Sequence, residues 1–260
     1  MKMDDRLEIS HSASNRILYR IALVGSPRGP VSLTHMMKAM RKKTRKDQLI
    51  FTLGKIAWGQ EDRLLIANMI SVLDDKYNLV AKMTREPGVE HIVRQLVERL
   101  GRSFGRLHNV QGKRVLDLAC GSNTSKPPAP NCINTPFWRK RIRVPNTEKY
   151  AAQFEPWFCR MLLALGGHPV GIYLGDLASE AFEHYRVDLG QKAGLDFLPD
   201  HSFDAIQDSR LFGSPEFTSQ FPREADRLRV AREITQQEQR LLRPDGIVIH
   251  SDAEALTQKK

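Results

Sequence analysis

The stretch that decides the fold is VLDLACGSN, Val115 to Asn123: an apolar run that ends in an acid, then a small residue, then a glycine entering a turn. Lys113 to Ala119 (KRVLDLA) predicts a short buried strand, and Gly121 permits a backbone bend and a close approach that a Cβ would block. Asp117, at the end of that strand, can accept hydrogen bonds from a cationic amine or order the loop that follows. Taken singly, the acid is as well explained as a turn former or salt-bridge partner, and the glycine as a plain strand-to-helix turn.

Working outward, strand and helix signals alternate downstream, as a doubly wound parallel sheet requires. Pro156 to Leu165 reads as a helix with Phe158, Leu162 and Leu165 on one face and a Gly166-Gly167 stop. His168 to Leu174, Tyr185 to Leu189 and Phe203 to Gln207 read as three further strands. Glu224 to Leu242 reads as a long helix ended by Arg243-Pro244-Asp245-Gly246, ahead of a fifth strand over Ile247 to His250. Upstream, Leu65, Met69, Val72 and Leu73 within Glu61 to Met83, and Val89, Ile92, Val93, Leu96, Val97 and Leu100, recur at helical spacing. These predict two amphipathic helices, with Pro87 in the first turn of the second and Gly101 and Gly105 at its end. The expected class is α/β: a Rossmann-like, doubly wound, mostly parallel sheet over 111–260, preceded by a mainly helical region. Residues 1–60 form a basic, poorly defined segment and 61–110 a helical cap.

In its motifs the chain resembles the class I S-adenosylmethionine-dependent methyltransferases. Asp117, Ala119 and Gly121 fall on that family's first motif, with Asn123 closing the turn. The resemblance continues in order through Tyr173-Leu174-Gly175-Asp176, Tyr185-Arg186-Val187-Asp188-Leu189, Phe197 to Asp204, and RLLRPDGIV from Arg240 to Val248. It implies S-adenosylmethionine as cofactor, with Asp176 on the ribose hydroxyls, Asp188 near the adenine amino group, Leu189 against the ring, and Gln207 at the end of strand four. Phe154-Glu155-Pro156-Trp157 and the loop from Ser209 to Phe217 are similar to uncharacterised bacterial members of the superfamily.

Two departures stand out. Gly121 to Asp176 is a 55-residue step where a compact strand–helix–strand unit needs about 20. The excess is an insertion over 122–150, rich in proline and carrying Phe137-Trp138-Arg139-Lys140-Arg141-Ile142-Arg143, read as a lid or substrate-recognition loop or, equally, as plain disorder. After the fifth strand ten residues remain, too few for the antiparallel pair the family adds. The sheet is therefore expected to look truncated there, with Arg16 to Gly25 as one way of covering its edge.

Methyl transfer needs alignment and exclusion of water more than an elaborate catalytic apparatus. In the loop after strand four, Asp208 is the acid/base candidate, with His201 and His250 behind it. That loop lacks an Asn/Asp-Pro-Pro-aromatic signature and a Pro-Cys nucleophile, which disfavours DNA base methylation at exocyclic amines or cytosine C5. A nicotinamide oxidoreductase is disfavoured because residues 119–124 read ACGSNT rather than G-x-G-x-x-G.

The three cysteines lack paired spacing, so neither a disulfide framework nor a metal site is expected. No apolar run is long enough to cross a bilayer, and the expected protein is soluble and cytoplasmic. Residues 1–110 hold 20 Lys+Arg against 11 Asp+Glu, and the remainder 20 against 19. A basic first half suits nucleic-acid contact or, more plainly, a solvated helical surface; RKKTRK at 41–46 invites the same two explanations. The expected function is methyl transfer to an unidentified acceptor. The alternative is a degenerate methyltransferase-like domain acting in nucleic-acid binding or assembly.

Overall fold

The structure, a computed structural model, describes residues 44–57, 59–122, 152–173, 177, 179–190, 194–208, 211–212, 217 and 220–249. Outside them lie Arg16 to Gly25, Arg41 to Lys43, Asn123 with the rest of the insertion, Asp176, His250 and most of the loop after strand four.

The first helix, α1 (Arg45–Gly54), begins at a capping box: the Thr44 hydroxyl accepts from the Asp47 amide while the Asp47 carboxylate accepts from the Thr44 amide. It lies inside the segment read as poorly defined and buries Leu49, Ile50 and Leu53. The single helix expected over Glu61 to Met83 is in fact two, α2 (Gln60–Tyr77) and α3 (Leu79–Arg85). Asn78 breaks it by adopting the left-handed conformation at φ 55°, and the Asp74 carboxylate then accepts from the Val80 amide. Next, α4 (Gly88–Phe104) buries Val89, Val93, Leu96, Val97 and Leu100, continues through Gly101 and ends at Gly105. A 3₁₀ turn (Leu107–Val110) leads into the sheet.

The sheet holds β1 (Arg114–Asp117), β2 (His168–Tyr173), β3 (Glu183–Arg186), β4 (Phe203–Gln207) and β5 (Leu242–Ile249), in the order β3-β2-β1-β4-β5, every pair parallel. Between β1 and β2 runs α5 (Trp157–Ala164), and between β4 and β5 runs α6 (Glu224–Leu241). This is the expected Rossmann-like α/β fold with a helical N-terminal region.

Strand alternation sorts the side chains into two cores. Val115, Ala205 and Ile249 join the core made by α1 to α5, so the N-terminal helices form a layer on the sheet. Leu116, Val170, Ile172 and Ile206 join Val230, Ile234 and Leu241 of α6 on the other face. Burial on both faces explains why the inner strands β1, β2 and β4 read as mostly apolar runs, whereas the edge strand β3, Glu-His-Tyr-Arg, has no buried residue.

Two strands differ from expectation. β3 begins at Glu183 rather than Tyr185 and stops before Val187, because its register is set by β2, Val170 facing Glu183 and Tyr173 facing Arg186. β5 begins at Leu242, pairing with Phe203, and resumes at Ile247, pairing with Ala205, so Arg243-Pro244-Asp245-Gly246 forms an irregularity within the strand instead of a turn before it. Gly246 fits closely there: a Cβ would come within 2.8 Å of Leu242 Cδ2 and 3.0 Å of the Arg243 carbonyl oxygen. Among the described residues β5 has no partner beyond β4, and Pro244 with the bulge blunts that edge. No helix of the described residues is long and apolar enough to cross a membrane.

Candidate functional site

Strand order reverses between β1 and β4, and the carboxyl ends of these two strands mark the place where open parallel sheets take their ligands. Asp117 closes β1, facing Gly171 of β2 and Gln207 of β4. Its Oδ1 accepts from the Ala119 amide at 3.4 Å, and its Oδ2 accepts from the Cys159 thiol of α5 at 3.8 Å. The Gln207 side-chain amide donates to the same carboxyl group, and Gln207 Oε1 is left buried with no partner among the described residues. Asp117 is 3% exposed. Burial pushes its pKa up to about 7, against the opposing pull of the Ala119 amide, the Cys159 thiol, the Arg99 charge and Gln207.

Beside it, Cys120 is in hydrogen-bonding contact with Cys159, which favours its thiolate, yet burial and the Asp117 and Glu180 charges leave its pKa raised. Burial pushes Cys159 further up. Both are neutral thiols at ordinary pH and poor nucleophiles. Among the described residues no group of acids, histidines and cysteines could hold a metal ion.

Gly121 adopts φ +86°, and the neighbouring Ser122 amide donates to the Phe154 carbonyl at 2.9 Å. A Cβ on Gly121 would lie 2.0 Å from that carbonyl oxygen. The backbone bend expected from the sequence is present and is left-handed, and what lies against it is the chain's own backbone. Gly121→Ala therefore meets both backbone strain and a clash, and urea denaturation is expected to show a loss of roughly 3 kcal/mol or more. An unchanged unfolding midpoint would mean that residues 152–155 do not hold this position.

Asp208, immediately after β4, is 2% exposed, and its carbonyl accepts from the Leu211 amide at 3.0 Å. His201 belongs elsewhere: it precedes β4, at the opposite edge of the sheet, is exposed at φ 49°, and its Nδ1 contacts the Leu242 carbonyl at 2.8 Å. It is a turn residue there, with no place at the carboxyl edge. Asp188 and Leu189 follow β3, two strands from Asp117. Asp188 Oδ1 accepts from the Gly190 amide and from Gln220 Nε2, both at 2.9 Å, and Leu189 packs on the second core. The structure thus joins Asp117, Ala119, Gly121 and Gln207 directly, sets Asp208 at the same edge, and holds Asp188 in a local turn.

A second constellation went unread in the sequence. Arg160, within the apolar run of α5, is 2% exposed. Its Nε lies 3.2 Å from both oxygens of Glu180 and its Nη2 2.6 Å from Oε1; its Nη1 pairs with Glu155, which also pairs with Lys82. The guanidinium carbon lies 4.1 Å from the Tyr77 ring centroid and 4.9 Å from that of Trp157. Burial works against its charge, but the hydrogen bonds to Glu180 and Glu155 outweigh it and raise the Arg160 pKa. An arginine interrupting WFCRMLLA was the available signal, since a cation on a buried helix face requires anionic partners.

The fold and this edge define a Rossmann-like α/β protein with an acid-and-glycine turn at its switch point. Compared with protein-family models, with curated proteins and with solved structures, the chain finds no match in any of the three.

Proposed function

We propose that the chain is an S-adenosylmethionine-dependent methyltransferase of unidentified acceptor. The observation that carries the proposal is the junction of Asp117, the left-handed Gly121 turn and Gln207 at the switch point, with Gln207 Oε1 buried and without a partner among the described residues. A buried acceptor without a donor is costly, and a ligand bearing amine or hydroxyl donors offers one. Asp117, Ala119, Gly121 and Gln207 would hold the cofactor at β1 and β4, with Asp188 and Leu189 toward its far end. Asn123 and Asp176 complete the set by the sequence resemblance alone. When bound, the cofactor supplies an electrophilic methyl group. The protein's task is to orient the acceptor and exclude water, and Asp208 would be the group that accepts an acceptor's proton.

Calorimetry with S-adenosylmethionine tests this directly. Binding is expected at or below millimolar ligand, weakened at least about tenfold by Gln207→Leu, which removes both the orphan acceptor and a donor to Asp117. Absence of binding at millimolar ligand removes the proposal's main support.

The Phe154 carbonyl against Gly121 favours an alternative, a methyltransferase-like domain that has lost catalysis and serves in assembly or nucleic-acid binding. For nucleic acid the described helices offer little. Residues 1–43 hold 9 Lys+Arg against 3 Asp+Glu, whereas 44–110 hold 11 against 8. Within the latter, Arg45 pairs with Glu90, Lys46 with Asp74 and Asp75, and Arg94 with Glu98. A steep salt dependence of RNA or DNA binding that survives substitution of Arg41, Lys42 and Lys43 would count against placing any such contact in the basic run.

A further inference from the structure

We propose that residues 152–155 form a strap that closes over the Gly121 turn, is latched by Lys82, Glu86 and Arg160, and opens as a unit without unfolding the sheet. That opening the strap admits a ligand rests on the function proposed above; that it opens separately does not.

The strap is fastened on two sides. On the inner side the Ser122 amide donates to the Phe154 carbonyl, the atom that fills the space beside Gly121. On the outer side the Glu86 carboxylate accepts from the Ala152 amide at 3.3 Å and from the Gln153 amide. The Gln153 side chain lies over Gly88, where a Cβ would come within 2.6 Å of its Nε2. Glu155, the last strap residue, pairs with Lys82 from α3 and with Arg160 from α5. Trp157 Nε1 donates to the Ala152 carbonyl at 2.7 Å.

These fastenings are mostly polar and discrete: of the strap's side chains only the small Ala152 is buried in the first core. The strap adds no rung to the sheet, and Phe154, its largest side chain, is 37% exposed and anchors in neither core. A segment held by a handful of hydrogen bonds and ion pairs, beside a sheet held by two apolar cores, separates from it at lower free energy than global unfolding requires. Its closed position sets the Phe154 oxygen 2.0 Å from where a Cβ on Gly121 would stand, so a ligand reaching the glycine turn from that side meets it. Strap and ligand therefore exclude one another at Gly121, and the latch residues set the cost of exchange.

Native-state hydrogen exchange followed by NMR on the full chain tests this, with Lys82→Met as the loosened latch. Methionine keeps an apolar stem beside Trp157 and removes one ion pair of Glu155, while Arg160 keeps the other. The Ser122 amide is expected to exchange faster than the amides of β1 and β2 in the unaltered protein. It should exchange about tenfold faster again in the variant, with the β1 and β2 amides unmoved. Ser122 exchanging in step with β1 in both proteins overturns the proposal, because the strap then opens only when the domain unfolds. In a second arm S-adenosylmethionine is the probe, and binding tighter in Lys82→Met by the same factor is expected. Binding that is unchanged or weaker overturns the gating. Absence of binding to either protein counts against the methyltransferase proposal, and the exchange rates then decide the strap on their own.

Discussion

Arg160→Met is expected to destabilise the protein by about 3–5 kcal/mol, the cost of leaving buried carboxylates without their cation. Glu180 is held by Arg160 through both carboxylate oxygens, and its side chain is 1% exposed. Glu155 keeps Lys82 as a second partner, so most of the penalty falls on Glu180. The ring contacts with Tyr77 and Trp157 are lost together with the charge. The pairing can be separated from mere packing by adding Glu180→Leu to Arg160→Met, which removes the stranded anion. The double variant should recover about 2 kcal/mol or more in urea denaturation, since an uncharged cluster of similar volume replaces a buried ion pair with little penalty. Additive losses in the two single variants and the double would show that Arg160 acts through its bulk alone.

How much of this was legible in the sequence follows from how local each signal is. The sheet was legible because its inner strands are short apolar runs in an alternating chain, and Asp117 and Gln207 fall at strand ends that this alternation locates, with Gly121 in the turn just beyond the first. Boundaries set by partners were not. β3 starts at Glu183 because β2 fixes its register, and the RPDG segment resembles a stop signal until Gly246 is seen folded against Leu242. The break at Asn78 interrupts a periodic apolar pattern through one left-handed residue, which periodicity does not register. The Arg160 cluster draws its members from α2, α3, α5, the strap and the chain beyond β2, five places whose meeting depends on the completed fold. The capping box at Thr44 and Asp47 was local and readable, but the surrounding basic run drew attention to charge instead.

Stability between pH 4 and pH 8 should carry the signature of Asp117. Its folded-state pKa stands at about 7, against 3.8 for the unperturbed group, and burial is the principal cause. A raised folded-state value means that the folded protein binds the proton more tightly than the unfolded chain does. The stabilising contribution is therefore complete below about pH 4 and declines as the pH rises toward 7, at about 1.4 kcal/mol per unit, for a total of about 4 kcal/mol. Above that pH the carboxylate is ionised in both states and the contribution is gone. Asp117→Asn has no such titration. Other groups cancel when the variant is subtracted from the unaltered protein, so the difference in unfolding free energy should swing by about 4 kcal/mol in the variant's favour between pH 4 and pH 8, and a flat difference curve would show that the site is better solvated than its burial indicates. The same property bears on the proposed ligand. A cationic amine brought to Asp117 favours the carboxylate, so binding near pH 7 should release a proton. Calorimetry in buffers of different ionisation enthalpy would detect that proton, and Asp117→Asn should abolish its release even if some affinity remains.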